Sequence, residues 1–254
     1  MLGRVQRRLP LLCHRAMSRR PLSTHAVGVD DASTITFTPK APHTASLIFM
    51  HGLGDTAYGW ADSIQHIAQR LPHLKCVLPT APTQPVTLNM GASMPSWYDI
   101  RSLTDRAGDP CTGIDSSRER IEKIIQGEID GGIPPSRIVL GGFSQGGAMS
   151  LYTGYQLDKA LAGILVLSGY LPNQEGFHAN EVTKDVPLLM CHGEDDTVVR
   201  LDWAKRSLDV LKASHAVTTA DFKVYPDMEH SACLDELDAI EKWLKKRLPH
   251  VASL

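Results

Sequence analysis

Chemistry is first suggested in this chain by Gly142-Phe143-Ser144-Gln145-Gly146. A serine flanked at two residues' distance by glycines is the G-x-S-x-G pattern of a nucleophile elbow. This is a sharp strand-to-helix turn that lifts a hydroxyl clear of a sheet. Glycine suits both flanks because the strained turn leaves no room for side chains there. A serine hydroxyl is a weak nucleophile at neutral pH. It needs a base to take its proton and a carboxylate to orient that base. Where the elbow carries such a set, the partners follow the serine in the order acid, then histidine. Glu194, Asp195 and Asp196 follow an apolar run that ends in His192 and offer three candidate acids. His230, in Met228-Glu229-His230-Ser231, is the candidate base. His215 and His250 lie in helical or terminal contexts, and His178 and His192 come too early in the chain.

The oxygen that gains negative charge during attack on a carbonyl needs donors already aimed at it. One expected donor is the backbone N–H of Gln145, the residue after the nucleophile. The second is expected from the loop His51-Gly52-Leu53-Gly54, whose glycines let the backbone approach a substrate, with Leu53 as the donor.

These residues must be carried by a scaffold, and the hydropathy pattern supplies one. Short apolar runs at Ala45–Met50, Leu74–Pro79, Arg137–Leu140, Leu161–Leu167, Pro187–His192 and Phe222–Tyr225 read as strands, with a further strand near Thr34–Phe37. Helices are expected over Asp115–Asp130, after the elbow, over Leu201–Lys212 and near Cys233–Arg247. Ser116 and Glu119 are spaced as a capping box, and Gly131-Gly132 should end that helix. Near-continuous apolar strands alternating with helices predict an α/β fold with a mostly parallel central sheet and helices on both faces, and the elbow motif makes the expected fold an α/β-hydrolase. No linker or internal repeat divides it, so residues 34–254 are expected to form one domain.

Residues 1–33 differ in composition. Arg4, Arg7, Arg8, Arg15, Arg19 and Arg20 cluster there, with no acid before Asp30. That is the make-up of a mitochondrial transit peptide, and Arg20-Pro21-Leu22-Ser23 resembles a matrix-protease site. The other readings are a disordered tail or a leader bypassed by initiation at Met17. A cytoplasmic location is expected, with mitochondrial import as the alternative. A net charge of -2 gives no reason to expect nucleic acid as a partner. No apolar stretch approaches the roughly 20 residues of a membrane span. Five cysteines, Cys13, Cys76, Cys111, Cys191 and Cys233, form no C-x-x-C pair and suit a reducing compartment. His230 and Cys233 are spaced like metal ligands, but no second pair completes a set, so no metal is expected.

Taken together, His51-Gly52-Leu53-Gly54-Asp55, Thr87-Leu88-Asn89-Met90, Met94-Pro95-Ser96-Trp97-Tyr98-Asp99, Gly141 to Gly147, His192-Gly193 with Asp196, and His230-Ser231 resemble the acyl-protein thioesterase/lysophospholipase family. The likeness runs from about Pro39 to Leu248. It implies Ser144 as nucleophile, His230 as base, Asp196 rather than Asp195 as acid, and Leu53 and Gln145 as oxyanion donors. It also implies no cofactor, and S-acylated proteins or lysophospholipid and acyl-ester substrates as partners, with transient contact at membrane surfaces. Leu53, Leu88, Met90, Met94 and Trp97 are then expected to line an acyl trough, for which methionine is suitably pliable. Trp97 reads equally well as a core residue. A carboxylesterase or lysophospholipase would use the same residues, and a hydrolase fold acting only as a binding module is the remote alternative. The chain departs from the family pattern at Val199-Arg200, where Val-Pro is usual, and in its Arg-rich leader.

Overall fold

A computed structural model of the protein describes residues 23–102 and 108–253. The leader arginines and Cys13 lie outside the described residues. The strands are β1 (His25–Val29), β2 (Ile35–Pro39), β3 (Ala45–Met50), β4 (Leu74–Leu78), β5 (Thr83–Val86), β6 (Ala92–Pro95), β7 (Ile138–Phe143), β8 (Gly163–Leu167), β9 (Leu188–Gly193) and β10 (Ala220–Tyr225). The α-helices are α1 (Tyr58–Gln69), α2 (Ile114–Asp130), α3 (Gln145–Gly154), α4 (Leu201–His215) and α5 (Leu234–Arg247).

Eight strands form one sheet in the order β1-β2-β4-β3-β7-β8-β9-β10. From β4 to β10 every neighbouring pair is parallel, while β1 and β2 are added antiparallel at one edge. Strands β3, β8 and β9 are buried along their whole length, as parallel strands covered on both faces must be. Successive side chains point to opposite faces and so divide the core in two. Ile48, Met50, Leu140, Val166 and Met190 pack with α2, α3 and α4. Leu47, Phe49, Val139, Leu165 and Leu189 pack with α1 and α5. Parallel polarity also sends the carboxyl ends of β3, β7, β8, β9 and β10 to one rim. The opposite rim is tied by Glu128, near the end of α2, which accepts hydrogen bonds from Ser46 Oγ at 2.6 Å and Lys75 Nζ at 2.5 Å.

Four local differences from the sequence reading have physical causes. Strand β1 falls inside the segment assigned to the leader, so the sheet begins at His25 rather than after residue 33. All but its first residue are exposed, an edge pattern with no apolar periodicity to read, and it is held by pairing with β2 and by His25 Nε2 against Leu74 O at 2.8 Å. Helix α1 was not anticipated; its apolar stripe is Trp60, Ile64, Ile67 and Ala68. The β5–β6 hairpin lies in the Pro- and Thr-rich segment from Pro79 to Trp97, for which no element was expected. At α2 the N-cap is Gly113 in a left-handed conformation, with no side-chain cap, so Ser116 lies inside the first turn and no capping box forms.

Glu236, in the first turn of α5, is fully buried, and neither carboxyl oxygen has a hydrogen-bond partner among the described residues. Burial pushes its pKa up to about 8. The folded state therefore binds a proton that the unfolded chain releases near the ordinary carboxyl range. Its contribution to stability is fully present below that range and is lost as pH rises from about 4.5 to about 8. Glu236→Gln should remove this dependence. Thermal melts from pH 5 to 9 should show a Tm that falls less with pH in the variant than in the native chain.

Candidate active site

Ser144 sits between β7 and α3 with φ 55° and ψ −118°, a conformation that non-glycine residues rarely adopt. Surrounding contacts hold it there: its N–H donates to Leu167 O at 2.8 Å, and its carbonyl accepts from Ala148 N–H at 2.9 Å. The flanking glycines permit close packing. A Cβ on Gly142 would lie 2.4 Å from Gly146 C, and one on Gly146 would lie 2.3 Å from Met50 O. Strand, turn and helix are thus pressed together at the elbow, with no room for a side chain at either glycine.

Ser144 Oγ is 2.9 Å from His230 Nε2, and His230 Nδ1 is 2.7 Å from Asp196 Oδ2. The structure therefore joins the three residues in one hydrogen-bonded chain. His230 comes from the β10–α5 loop and Asp196 from the loop after β9. Those loops lie back to back, because a Cβ on Gly193 would sit 2.1 Å from Met228 O. Phe143 packs its ring against the imidazole at 4.7 Å between centroids. Of the three candidate acids, Glu194 and Asp195 are exposed and Asp196 alone is buried. Its Oδ1 accepts from the N–H groups of Val198 and Val199 at 2.9 and 2.8 Å. Burial pushes this carboxyl upward, but the hydrogen bond and charge of His230, with the Val199 N–H, hold it below the usual carboxylate range. It is therefore ionised at neutral pH, as a group that orients an imidazole must be. His192 supports this loop by holding Val199 O at 2.7 Å, and burial lowers its own pKa. Arg200 pairs with Asp202 at 2.9 Å and is largely exposed, so its charge is neutralised outside the acid's pocket. Both ring nitrogens of His230 are engaged, so its spacing to Cys233 does not make a metal pair.

Beside Ser144 lies a cavity of about 290 Å³ with predominantly apolar walls, including Leu53, Leu88, Ile100, Phe143, Val198 and Val199. Gln145 opens α3, so its N–H is among those a helix leaves without an internal partner. Gly52 brings the other loop alongside, since a Cβ there would lie 3.3 Å from Ser144 Cβ. Leu53 and Gln145 both line the cavity, where the sequence reading put the oxyanion donors.

The expected trough is only partly formed by the residues named for it. Leu53 and Leu88 line the cavity; Met90, Met94 and Trp97 do not. Met90 is 99% exposed in the loop of the β5–β6 hairpin, with its backbone in the left-handed region. Met94 is half-buried, with its sulfur accepting from Asn89 Nδ2 at 3.1 Å and lying against Gly54. Trp97 is wholly buried as an anchor: Nε1–H donates to His51 O at 2.8 Å and its N–H to Gln145 Oε1 at 2.9 Å. Ile100, Tyr170, Val198 and Val199 were missed. Val198-Val199 follows the acid directly and could have been read as a wall. Tyr170 reaches the site through the fold, its hydroxyl 2.8 Å from that of Tyr98.

An α/β-hydrolase sheet carrying a serine at its elbow defines a serine hydrolase. The model of the Phospholipase/Carboxylesterase family matches residues 32–248, and the chain belongs to that family, as a member of its acyl-protein thioesterase/lysophospholipase group. It is 45% identical to Acyl-protein thioesterase 1 of Neurospora crassa, over 84% of this chain and 90% of the relative. It is 44% identical to Acyl-protein thioesterase 1 homolog 1 of Dictyostelium discoideum, over 82% and 92%. Among solved structures, Zea mays acyl-protein thioesterase 2 superposes with a TM-score of 0.75 at 30% identity, covering 85% of this chain and 98% of that one.

Proposed function

We propose that the protein hydrolyses fatty-acyl thioesters on S-acylated, especially palmitoylated, protein cysteines. The observation that carries this reading is the Ser144–His230–Asp196 hydrogen-bonded chain beside an apolar cavity. Ser144 Oγ attacks the acyl carbonyl as its proton passes to His230 Nε2. The oxygen gains negative charge between the N–H groups of Leu53 and Gln145. The C–S bond then breaks and the cysteine sulfur leaves, taking the proton from His230. A thiol has a pKa near 8.5, so departure needs less help than an amine would. Water, deprotonated by His230, cleaves the acyl-enzyme and restores Ser144. Asp196 holds the imidazole in the tautomer that can accept from serine and stabilises the imidazolium.

The names of the relatives and the apolar cavity favour a thioester of a long acyl chain over a short ester. The test compares a palmitoylated peptide, lysophosphatidylcholine and a short-chain ester, using the native chain and Leu88→Gln. We expect the highest kcat/KM on the palmitoylated peptide. Leu88→Gln should lower that value by about tenfold while the short-chain ester changes by less than about twofold, the scale for altering a few apolar contacts in a pocket. Fastest turnover of lysophosphatidylcholine would assign the site to lysophospholipid hydrolysis instead.

A further inference from the structure

We propose that His51 is a positioning residue for the oxyanion hole, which holds the Gly52 carbonyl so that the Leu53 N–H is aimed at the substrate oxygen. This rests on the reading of Ser144 as nucleophile and adds a residue to that site. His51 lies just beyond β3 and is 1% exposed. Its Nε2 is 2.9 Å from the backbone nitrogen of Ala81, which can only donate. Nε2 therefore carries no proton, and in the neutral ring the proton sits on Nδ1. Nδ1–H donates to Gly52 O at 2.7 Å. Burial lowers the pKa of this imidazole, which keeps it neutral and in that tautomer.

Gly52 C=O and Leu53 N–H are the two ends of one peptide plane. The described chain contains no cis peptide, so the two groups point in opposite directions. Fixing the carbonyl fixes the N–H. The preceding peptide is fixed as well, because His51 O accepts from Trp97 Nε1–H at 2.8 Å. The Gln145 side chain holds the Trp97 backbone, its Oε1 accepting from Trp97 N–H and its Nε2 donating to Tyr98 O at 2.7 Å. Asp55 N–H at 3.2 Å is a second, longer donor to Gly52 O. The ring thus clamps the one peptide that must not rotate. Because hydrogen bonds in a chain polarise one another, a donor on the carbonyl also strengthens the N–H at the other end.

Two substitutions separate the two nitrogens. His51→Gln keeps an acceptor able to reach Ala81 but loses the donor to Gly52. His51→Asn keeps a donor at the Nδ1 position but loses the acceptor. His51→Gln should lower kcat about 10- to 100-fold, approaching the loss of an oxyanion donor, with KM within about twofold of native. Affinity for a trifluoromethyl ketone, whose adduct places an oxyanion in the hole, should weaken by the same factor. Affinity for an unreactive long-chain amide should not change. His51→Asn should recover kcat to within about fivefold of native, since the donor is restored. Equal impairment of the two variants, native kinetics in both, or undiminished ketone affinity in His51→Gln would overturn the inference. If His51→Gln does not fold, proton NMR of the native protein decides. The His51 Nδ1–H signal should move downfield when the ketone adduct forms, and an unmoved signal overturns the inference. Retained activity in Ser144→Ala would instead overturn the nucleophile reading beneath it.

Discussion

Ser144→Ala should lower kcat/KM for a palmitoylated peptide by about 10⁵-fold, the scale seen when a serine nucleophile is removed and only binding and oxyanion contacts remain. The size follows from the geometry. Ser144 Oγ, at 2.9 Å from His230 Nε2, is the hydroxyl of this site paired with a base. Its removal leaves His230 and Asp196 joined at 2.7 Å with nothing to activate. Labelling by a fluorophosphonate should disappear with activity, because that reagent reports the nucleophile itself. Stability should hardly change. Alanine occupies the same positive-φ position, the backbone bonds of residue 144 remain, and Tm should stay within about 3 °C of native. Retention of more than about one per cent of native kcat/KM would overturn the assignment, being far above the residual expected of such a site.

The second large effect is on folding. Gly146→Ala should destabilise the protein by about 3–5 kcal/mol, the upper range for overpacking where neighbours cannot yield. A Cβ at 146 would lie 2.3 Å from Met50 O and 2.6 Å from His51 O. Both are backbone atoms at the carboxyl end of β3, so no side-chain rotation relieves the contact. The clash also pushes on the segment leading to Gly52 and Leu53, so activity should fall further than the loss of folded protein explains. Urea denaturation gives the first quantity, and kcat per titrated nucleophile gives the second. A variant with a native urea midpoint would show that the elbow has slack the close contacts deny. Gly127, in the exposed part of α2, is the control: a Cβ there meets nothing within 4 Å.

The sheet was legible because its central strands are buried on both faces and therefore written as unbroken apolar runs. Strand β3 occupies the span its residues predict, and β7 ends where the elbow begins. That Ser144, Asp196 and His230 come together in one hydrogen-bonded chain was legible for a different reason. The order of elements constrains which loop can supply each group, and the resemblance chose among three neighbouring acids. What the chain does not display locally was lost. Strand β1 is an exposed edge defined by its partner, and its amino acids carry no period. The cavity beside Ser144 is assembled from seven separate stretches of chain, so Ile100 and Tyr170 have no sequence signal that links them to Ser144. Met90 misled for the opposite reason. Its chemistry suits a lipid surface, but it stands exposed in the hairpin loop with its backbone in the left-handed region. Trp97 was half right. Its size reads as core, and its indole N–H shows what the core position is for.

The parallel polarity of the sheet also divides the molecule into regions with different tolerance of inserted sequence. The loops after β3, β7, β9 and β10 carry His51 to Leu53, Ser144, Asp196 and His230, so a graft there falls at the candidate active site. The Gly131-Gly132 turn after α2 lies on the other rim, exposed, with Gly132 at φ 97° and open space where a side chain would stand. An affinity tag, a fluorophore or a new pair of chain ends placed in that turn stays on the rim opposite Ser144. The neighbouring Glu128–Ser46–Lys75 cluster marks how close to the sheet such a graft can come before it loosens the fold.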